Sequence, residues 1–341
     1  MIKVNKKDLL VAVDKAAVGV KETFIFTISD RKTSDGKVFG TVCASNGNVQ
    51  AMAVFKAEAD KKASFIVGAE LLSAIKAIGE FGDTITIKLS DTVAEFSAGS
   101  ATMPLPLKAD GVKIKMQTPK DNVCMSASFA KDDFIKAIRQ GSFAYGDAAN
   151  ISNLAFTVAL NAVCDDEGNY LYLMSSDARL ATRSKVEALK VNDEFKTNKS
   201  YISIDAPALR SICTKLTSDE ISVLIFDKQV TVKDGNDYYT IIRYENEFPK
   251  NFAEILSNDS YSYKAVFDVA KFRAALKVAT LLENKNEKKA LINISNGKVV
   301  ISSVLETNKA QVEAEEVEGE VSIIVNEKHF DIALADIGSN K

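Results

Sequence analysis

The sequence contains no tryptophan, one histidine, four cysteines and five prolines in 341 residues. The single imidazole, His329, leaves no His-rich metal site and little scope for a Ser–His–Asp or Cys–His nucleophile. Cys43, Cys124, Cys164 and Cys213 lie 81, 40 and 49 residues apart, which fits neither a metal-ligand spacing nor a disulfide scaffold. Reduced, mostly buried thiols are expected. No run approaches the roughly 18 apolar residues of a membrane span, and Met1–Lys7 has no apolar signal core. The expected compartment is the cytoplasm.

The glycine-rich phosphate loops, the G-x-S-x-G elbow and the H-E-x-x-H pair are also missing. The acidic stretch Asp165–Asn169 lacks EF-hand ligand spacing and reads as a hairpin loop. No cofactor, no metal and no catalytic residue is therefore expected. Charge of one sign is lacking too, since 43 Lys and Arg face 46 Asp and Glu for a net −3. A chain that grips nucleic acid over its whole surface would be basic, so at most a local basic face remains.

What is present is an ordinary globular composition, 46% apolar and 26% charged, in a chain long enough for two or three domains. The main signal is internal repetition. Six segments place a short apolar strand, a capping residue and an amphipathic helix in succession, with caps at 5, 68, 130, 205, 268 and 326. A large apolar residue follows four positions later each time: Leu9, Leu72, Phe134, Leu209, Phe272 and Phe330. Asn and Asp suit the cap because their side-chain oxygens take up orphan N–H groups, and Pro207 is harmless in a first turn. Runs alternating with period two follow most helices, punctuated by Asp35-Gly36, Asn46-Gly47, Asp234-Gly235 and Asn296-Gly297. The unit is β-α-β-β-β, its helix burying one stripe on one sheet face in an α+β layer.

One unit of about 62 residues buries too little surface to be comfortable alone, so pairs of units form the expected domains. The boundaries give 1–123, 124–258 and 259–341, with polar, turn-rich linkers near 117–121 and 257–260. After the sixth helix only Gly338–Lys341 remain, so the third domain is expected to be short by two to three strands.

These residues resemble the bacterial sliding clamp family, the β subunit of DNA polymerase III. Leu173-Met174-Ser175-Ser176-Asp177-Ala178-Arg179-Leu180-Ala181 is similar to the family's V-A-T-D-G-H-R-L-A. Phe248-Pro249-Lys250-Asn251-Phe252 is similar to its F-P-D-Y, and Val325–Leu334 to its F-N-x-x-Y-L-x-x-x-L. The resemblance spans the whole chain and is divergent. It implies three tandem clamp domains with helices inside and sheets outside. It also implies a head-to-tail homodimer around double-stranded DNA, and a protein that tethers a polymerase and catalyses nothing itself.

A ring needs no tight phosphate grip, because closure prevents escape; weak, sequence-independent attraction from basic residues suffices. The helix segments carry 14 Lys and Arg against 11 Asp and Glu. Expected DNA-facing residues are Lys21, Lys76, Lys136, Arg139, Arg210, Lys215, Arg273 and Lys277, and Lys136/Arg139 and Arg273/Lys277 share helix faces. The resemblance further implies an apolar cleft that takes short linear peptides of DNA polymerase and clamp loader. By motif position this would involve Ser152, Asn153, Ser176, Asp177, Ala178, Arg179, Leu180 and Ser257. This chain departs from the family there, with Asp177-Ala178 for Gly-His and Ser257 for Pro.

The family's ring interface joins edge strands. Candidates are Ala101 to Leu105, with Met103 and Leu105 as apolar plugs, and Leu281-Leu282 with the strand Lys289 to Ser295. Pro104 and Pro106 remove two ladder donors, which suits an edge and limits the ladder. Two alternatives remain open: a clamp-like protein without ring or partner binding, and a β-rich hydrolase or sugar-binding protein.

Overall fold

The computed structural model describes residues 1–109, 125–144, 157–177, 180–197, 201–245, 248, 254–256, 262–283, 288–295 and 298–336. Its elements follow the six-fold repeat. The first unit is β1 (Ile2–Asn5), α1 (Lys6–Ala16), β2 (Thr23–Lys32), β3 (Val38–Ser45) and β4 (Val49–Ala59). The second is β5 (Ala63–Gly68), α2 (Leu71–Ile78), β6 (Thr84–Leu89), β7 (Val93–Ala98) and β8 (Ala101–Pro106). The third is β9 (Met125–Ala130), α3 (Lys131–Gly141), β10 (Thr157–Asp165), β11 (Gly168–Ser176) and β12 (Ala181–Glu187), with the short β13 (Lys190–Val191). The fourth is β14 (Ile202–Asp205), α4 (Ala206–Cys213), β15 (Glu220–Ile225), β16 (Gln229–Asp234) and β17 (Asp237–Ile242). The fifth is β18 (Lys264–Phe267), α5 (Val269–Ala279), β19 (Lys289–Ser295), β20 (Lys298–Ser303) and β21 (Lys309–Glu318). The sixth begins with β22 (Val321–Asn326) and α6 (Glu327–Asp336).

The expected caps account for most helix starts. Asn5 accepts from the Lys7 amide, Asp205 from Ala208, Asp268 from Lys271 and Asn326 from His329. The second cap differs from expectation. The chain makes a turn at 69–70, and α2 starts after Glu70, whose side chain caps nothing. The core residue of its first turn is therefore Leu71, with Leu72 half-buried. Asp165 accepts from the Glu167 and Gly168 amides, the hairpin loop read from the sequence.

The chain divides into two compact units, one of residues 1–135, 161–171 and 186–245, the other of 136–160, 172–185 and 246–341. In the first, strands run in the order β13-β9-β15-β16-β17-β4-β1-β6-β7-β8, with β2, β3 and β5 completing a thirteen-stranded sheet. Period-two burial explains the layer: β7 alternates half-buried and buried along its length, sending Ala94, Phe96 and Ala98 into the core. One apolar cluster, from Ile2 to Leu105, spans the first two repeats and holds Leu9, Val13, Leu71, Ile75 and a Phe26–Phe65 ring stack. In the second unit, five strands run β18-β21-β20-β19-β22. Phe272, Leu276, Ile292 and Ile301 make their core, with Phe330 of α6 packed against it. A further sheet runs β12-β11-β10-β14.

Within the first unit, the repeats meet edge to edge. Strand β17 of the fourth repeat pairs antiparallel with β4 of the first, Tyr238 to Ile241 opposite Met52 to Val49. The Ile242 amide extends this ladder to the Asn48 carbonyl at 2.9 Å.

Candidate functional site: basic helix ends, a peptide turn and strand edges

Basic residues sit in the last helical turn of α1 (Lys15), α2 (Lys76), α3 (Arg139), α4 (Arg210) and α5 (Lys277). A cation there also suits the negative end of the helix dipole. Lys76, Lys136, Arg139 and Lys277 are exposed, and Arg210 is half-buried. Lys21 is exposed but not helical, because α1 ends at Ala16 and a short 3-10 turn, Ala17–Gly19, follows it.

Lys215 and Arg273, both expected to face DNA, are paired with carboxylates. Lys215 Nζ lies 2.6 Å from Asp14 of α1. Arg273 makes a two-pronged pair from α5 to Asp331 of α6, Nε–Oδ1 2.6 Å and Nη2–Oδ2 3.0 Å. The guanidinium beside Asp331 holds that carboxyl below its usual range, against the burial that raises it. Arg273 and Lys277 share a helix, but Arg273 spends its planar fork on the neighbouring helix.

Where they are described, the peptide-cleft residues bond to one another. Asp177 Oδ1 accepts from the Leu180 amide at 2.6 Å, and Ser176 Oγ donates to the Leu180 carbonyl at 2.8 Å. Leu180 itself is half-buried. Beside it, Arg183 lies over the Tyr172 ring at 4.2 Å and donates to the Leu256 carbonyl at 3.1 Å. Ser152, Asn153, Ala178, Arg179 and Ser257 lie outside the described residues.

The edge-strand expectations are partly corrected. Leu105 is buried in the core of its own repeat pair, and Met103 is half-buried against the same core. The exposed face of β8 carries Thr102, Pro104 and Pro106. Strand β19 is no edge, since it pairs with β20 on one side and β22 on the other. Leu281 and Leu282 do stand bare, 72% and 79% exposed.

Sequence reasoning missed a buried charge cluster centred on Lys15. Lys15 is 7% exposed, with Nζ 3.0 Å from Asp234, 2.6 Å from Asp237 and 2.7 Å from Thr217 Oγ1. Burial works to lower the Lys15 pKa, and the two carboxylates outweigh it and raise it. Burial likewise works to raise Asp234. Bonds from Ser218, Lys15 and the Thr217 amide prevail and hold it at about 2. Asp237 also accepts from the Val54 amide of β4 at 2.8 Å, so the charge cluster locks the β17–β4 ladder. The signal was faint: 219 and 222 residues separate Lys15 from its carboxylates. Burial pushes the Cys43 thiol up to about 11 and the Cys213 thiol up to about 12. Among the described residues no helix is long and apolar enough to cross a membrane.

No family model matches the sequence, and no curated protein matches it. Solved structures do. The DNA polymerase III β chain of Streptococcus pneumoniae is 15% identical, with 99% of this chain and 90% of that one covered and a TM-score of 0.81. The β subunit from Pseudomonas aeruginosa is 16% identical over 100% and 91%, TM-score 0.82. The DNA polymerase sliding clamp from Bacillus subtilis is 15% identical over 99% and 90%, TM-score 0.82. At such low identity the likeness is one of fold. The repeat-by-repeat architecture and the end-to-end match make this the three-domain fold of the sliding clamps.

Proposed function

We propose that the chain is a processivity clamp: two copies close head to tail around duplex DNA and tether a replicative polymerase, with no catalytic step of their own. The observation that carries this is the β17–β4 ladder, a joint by which one repeat pair docks edge-on to the next. The edges it uses recur unfilled. Strand β8 is the second-repeat counterpart of β17, and among the described residues it pairs only with β7. Strand β21 is the fifth-repeat counterpart of β4. Its Lys309–Glu313 half pairs with β20 on one side and with no described strand on the other. A second copy that set its β8 on this β21, as β17 sets on β4, would close a ring.

The partition 1–123, 124–258 and 259–341 goes with this reading, since one described core lies within the first span and another within the last. Lys21, Lys76, Lys136, Arg139, Arg210 and Lys277 would supply weak attraction to the backbone of passing DNA, with Lys215 and Arg273 lending charge already shared with a carboxylate. Ser176, Asp177 and Leu180 would help line a site for short peptides of a polymerase and a clamp loader. The protein would work in the cytoplasm.

The test is retention on DNA after loading, on circular and on linearised duplex of equal length. A ring stays on circles and is lost from free ends. Equal retention on both would mean ordinary surface binding and would sink the proposal.

A further inference from the structure

The hairpin β16–β17 and the hairpin β7–β8 are the same object built twice. Asp234 pairs Asp237 and Gln229 pairs Ile242; Ala98 pairs Ala101 and Val93 pairs Pro106. Both turn through a two-residue loop whose glycine has positive φ, +61° at Gly235 and +53° at Gly99. Residues 101–106 therefore stand where 237–242 stand. Ahead of the hairpins, Asp219 and Asp83 each accept the first amide of a helix with their carbonyl, from Lys131 and Lys6, so Phe81 stands where Thr217 does. Helices α1 and α5 also match residue for residue, which puts Val278 at the tenth position of α5, where α1 has Lys15.

The joint within the chain thus has a counterpart in which the four members of the Lys15 cluster are replaced, while the second pair across it, Asp14 with Lys215, has Lys277 and Gly79 in its places. Lys15 becomes Val278, Thr217 becomes Phe81, Asp234 becomes Ala98 and Asp237 becomes Ala101. Lys15 is buried by its hairpin, whereas Val278 is 50% exposed and Phe81 58% exposed, as large apolar side chains awaiting cover would be.

The ladder differs as well. The Leu107 amide bonds toward β7, to Thr92, while the Lys108 amide bonds the other way, to Ile66 of β5. Even-numbered residues of β8 hence direct their backbone to the open edge. Two of the three, Pro104 and Pro106, have no N–H to give. In β17 the same positions are Thr240 and Ile242, and the Ile242 amide is bonded to Asn48.

We infer that the joint between two copies is an apolar seam, Phe81 of one copy seated on Val278 of the other, with a ladder cut short by Pro104 and Pro106. It rests on the ring reading above and adds what holds the ring shut. Side-chain packing replaces both the ion cluster and two ladder bonds. The prolines keep the bare edge from pairing indiscriminately before closure.

The test is the dimer dissociation constant of the full chain by sedimentation equilibrium. Phe81→Ser and Val278→Ser should each weaken the dimer at least thirtyfold, as central apolar anchors do. The double variant should fall short of the product of the two, because the residues touch. Restoring the β17 residues with Pro104→Thr and Pro106→Ile should tighten it by about thirtyfold, two net hydrogen bonds' worth. All four positions are on the surface, so the unfolding temperature of the monomer should hold and serves as the folding check. A dimer indifferent to Phe81→Ser and Val278→Ser would overturn the seam and leave the ring standing. Absence of any dimer, even with the prolines replaced, would overturn the seam and the ring together.

Discussion

Helices α1 and α5 occupy equivalent places in the repeat, and each ends one position after the residue that matters. In α1 that residue is Lys15, held between two carboxylates; in α5 it is the half-bare Val278. The same geometry therefore carries two chemistries. A joint that forms once, during folding, can use a buried ion cluster, because its parts desolvate cooperatively with the rest of the chain. A joint that must open for DNA to enter would have to expose and rehydrate such charges in each cycle, and an apolar contact avoids that step.

The sharpest way to break this comparison is to take the cation from the first joint. Lys15→Met leaves Asp234 and Asp237 buried without their counter-ion, which should cost about 3–5 kcal/mol of unfolding free energy. Denaturant unfolding measures it. A loss near zero would mean that the ladder alone holds β17 to β4, and the contrast between the two joints would disappear.

Acid should act on the same joint with a smaller effect. The Asp234 pKa is held at about 2, so its contribution is complete above the usual carboxylate value and is lost as pH falls from about 4 to about 2. Lys15 is raised, so its contribution is complete below its usual value and is lost only as pH rises through the higher folded value. The unfolding temperature should be flat between those limits and fall at the acid end. The Phe81–Val278 seam has no titrating group. Between pH 5 and 8 the dimer dissociation constant should likewise stay level, which sedimentation across that range would check.

Much of the fold was legible because its signals are local. A cap and the core residue four positions on lie within a single helical turn, and strand alternation lies within six residues, so Asn5, Asp205, Asp268 and Asn326 were found from sequence. The second helix was misplaced because Gly68 can cap by composition, whereas the chain spends 69–70 on a turn first. Pairings between distant repeats were not legible. Nothing near Lys215 or Arg273 in sequence announces Asp14 or Asp331, and β19 could be taken for an edge because strand order is a property of the folded sheet. Met103 and Leu105 illustrate a related point. Alternation shows that two residues share a face, but only packing shows that this face is the inward one.

The smallest effect sharpens the comparison by showing what is held constant. Asn5 and Asp268 cap α1 and α5 through the same bond, a side-chain oxygen accepting a first-turn amide. Asn5→Ala and Asp268→Ala should each cost about 1 kcal/mol, by the usual value of an N-cap. Thermal unfolding of the two variants should show similar losses, and neither should move the pH at which the acid transition begins. A much larger loss at Asn5 than at Asp268 would mean that α1 is itself the more strained helix. The difference between the joints would then belong to the helices, and not to the residue each one presents at its tenth position.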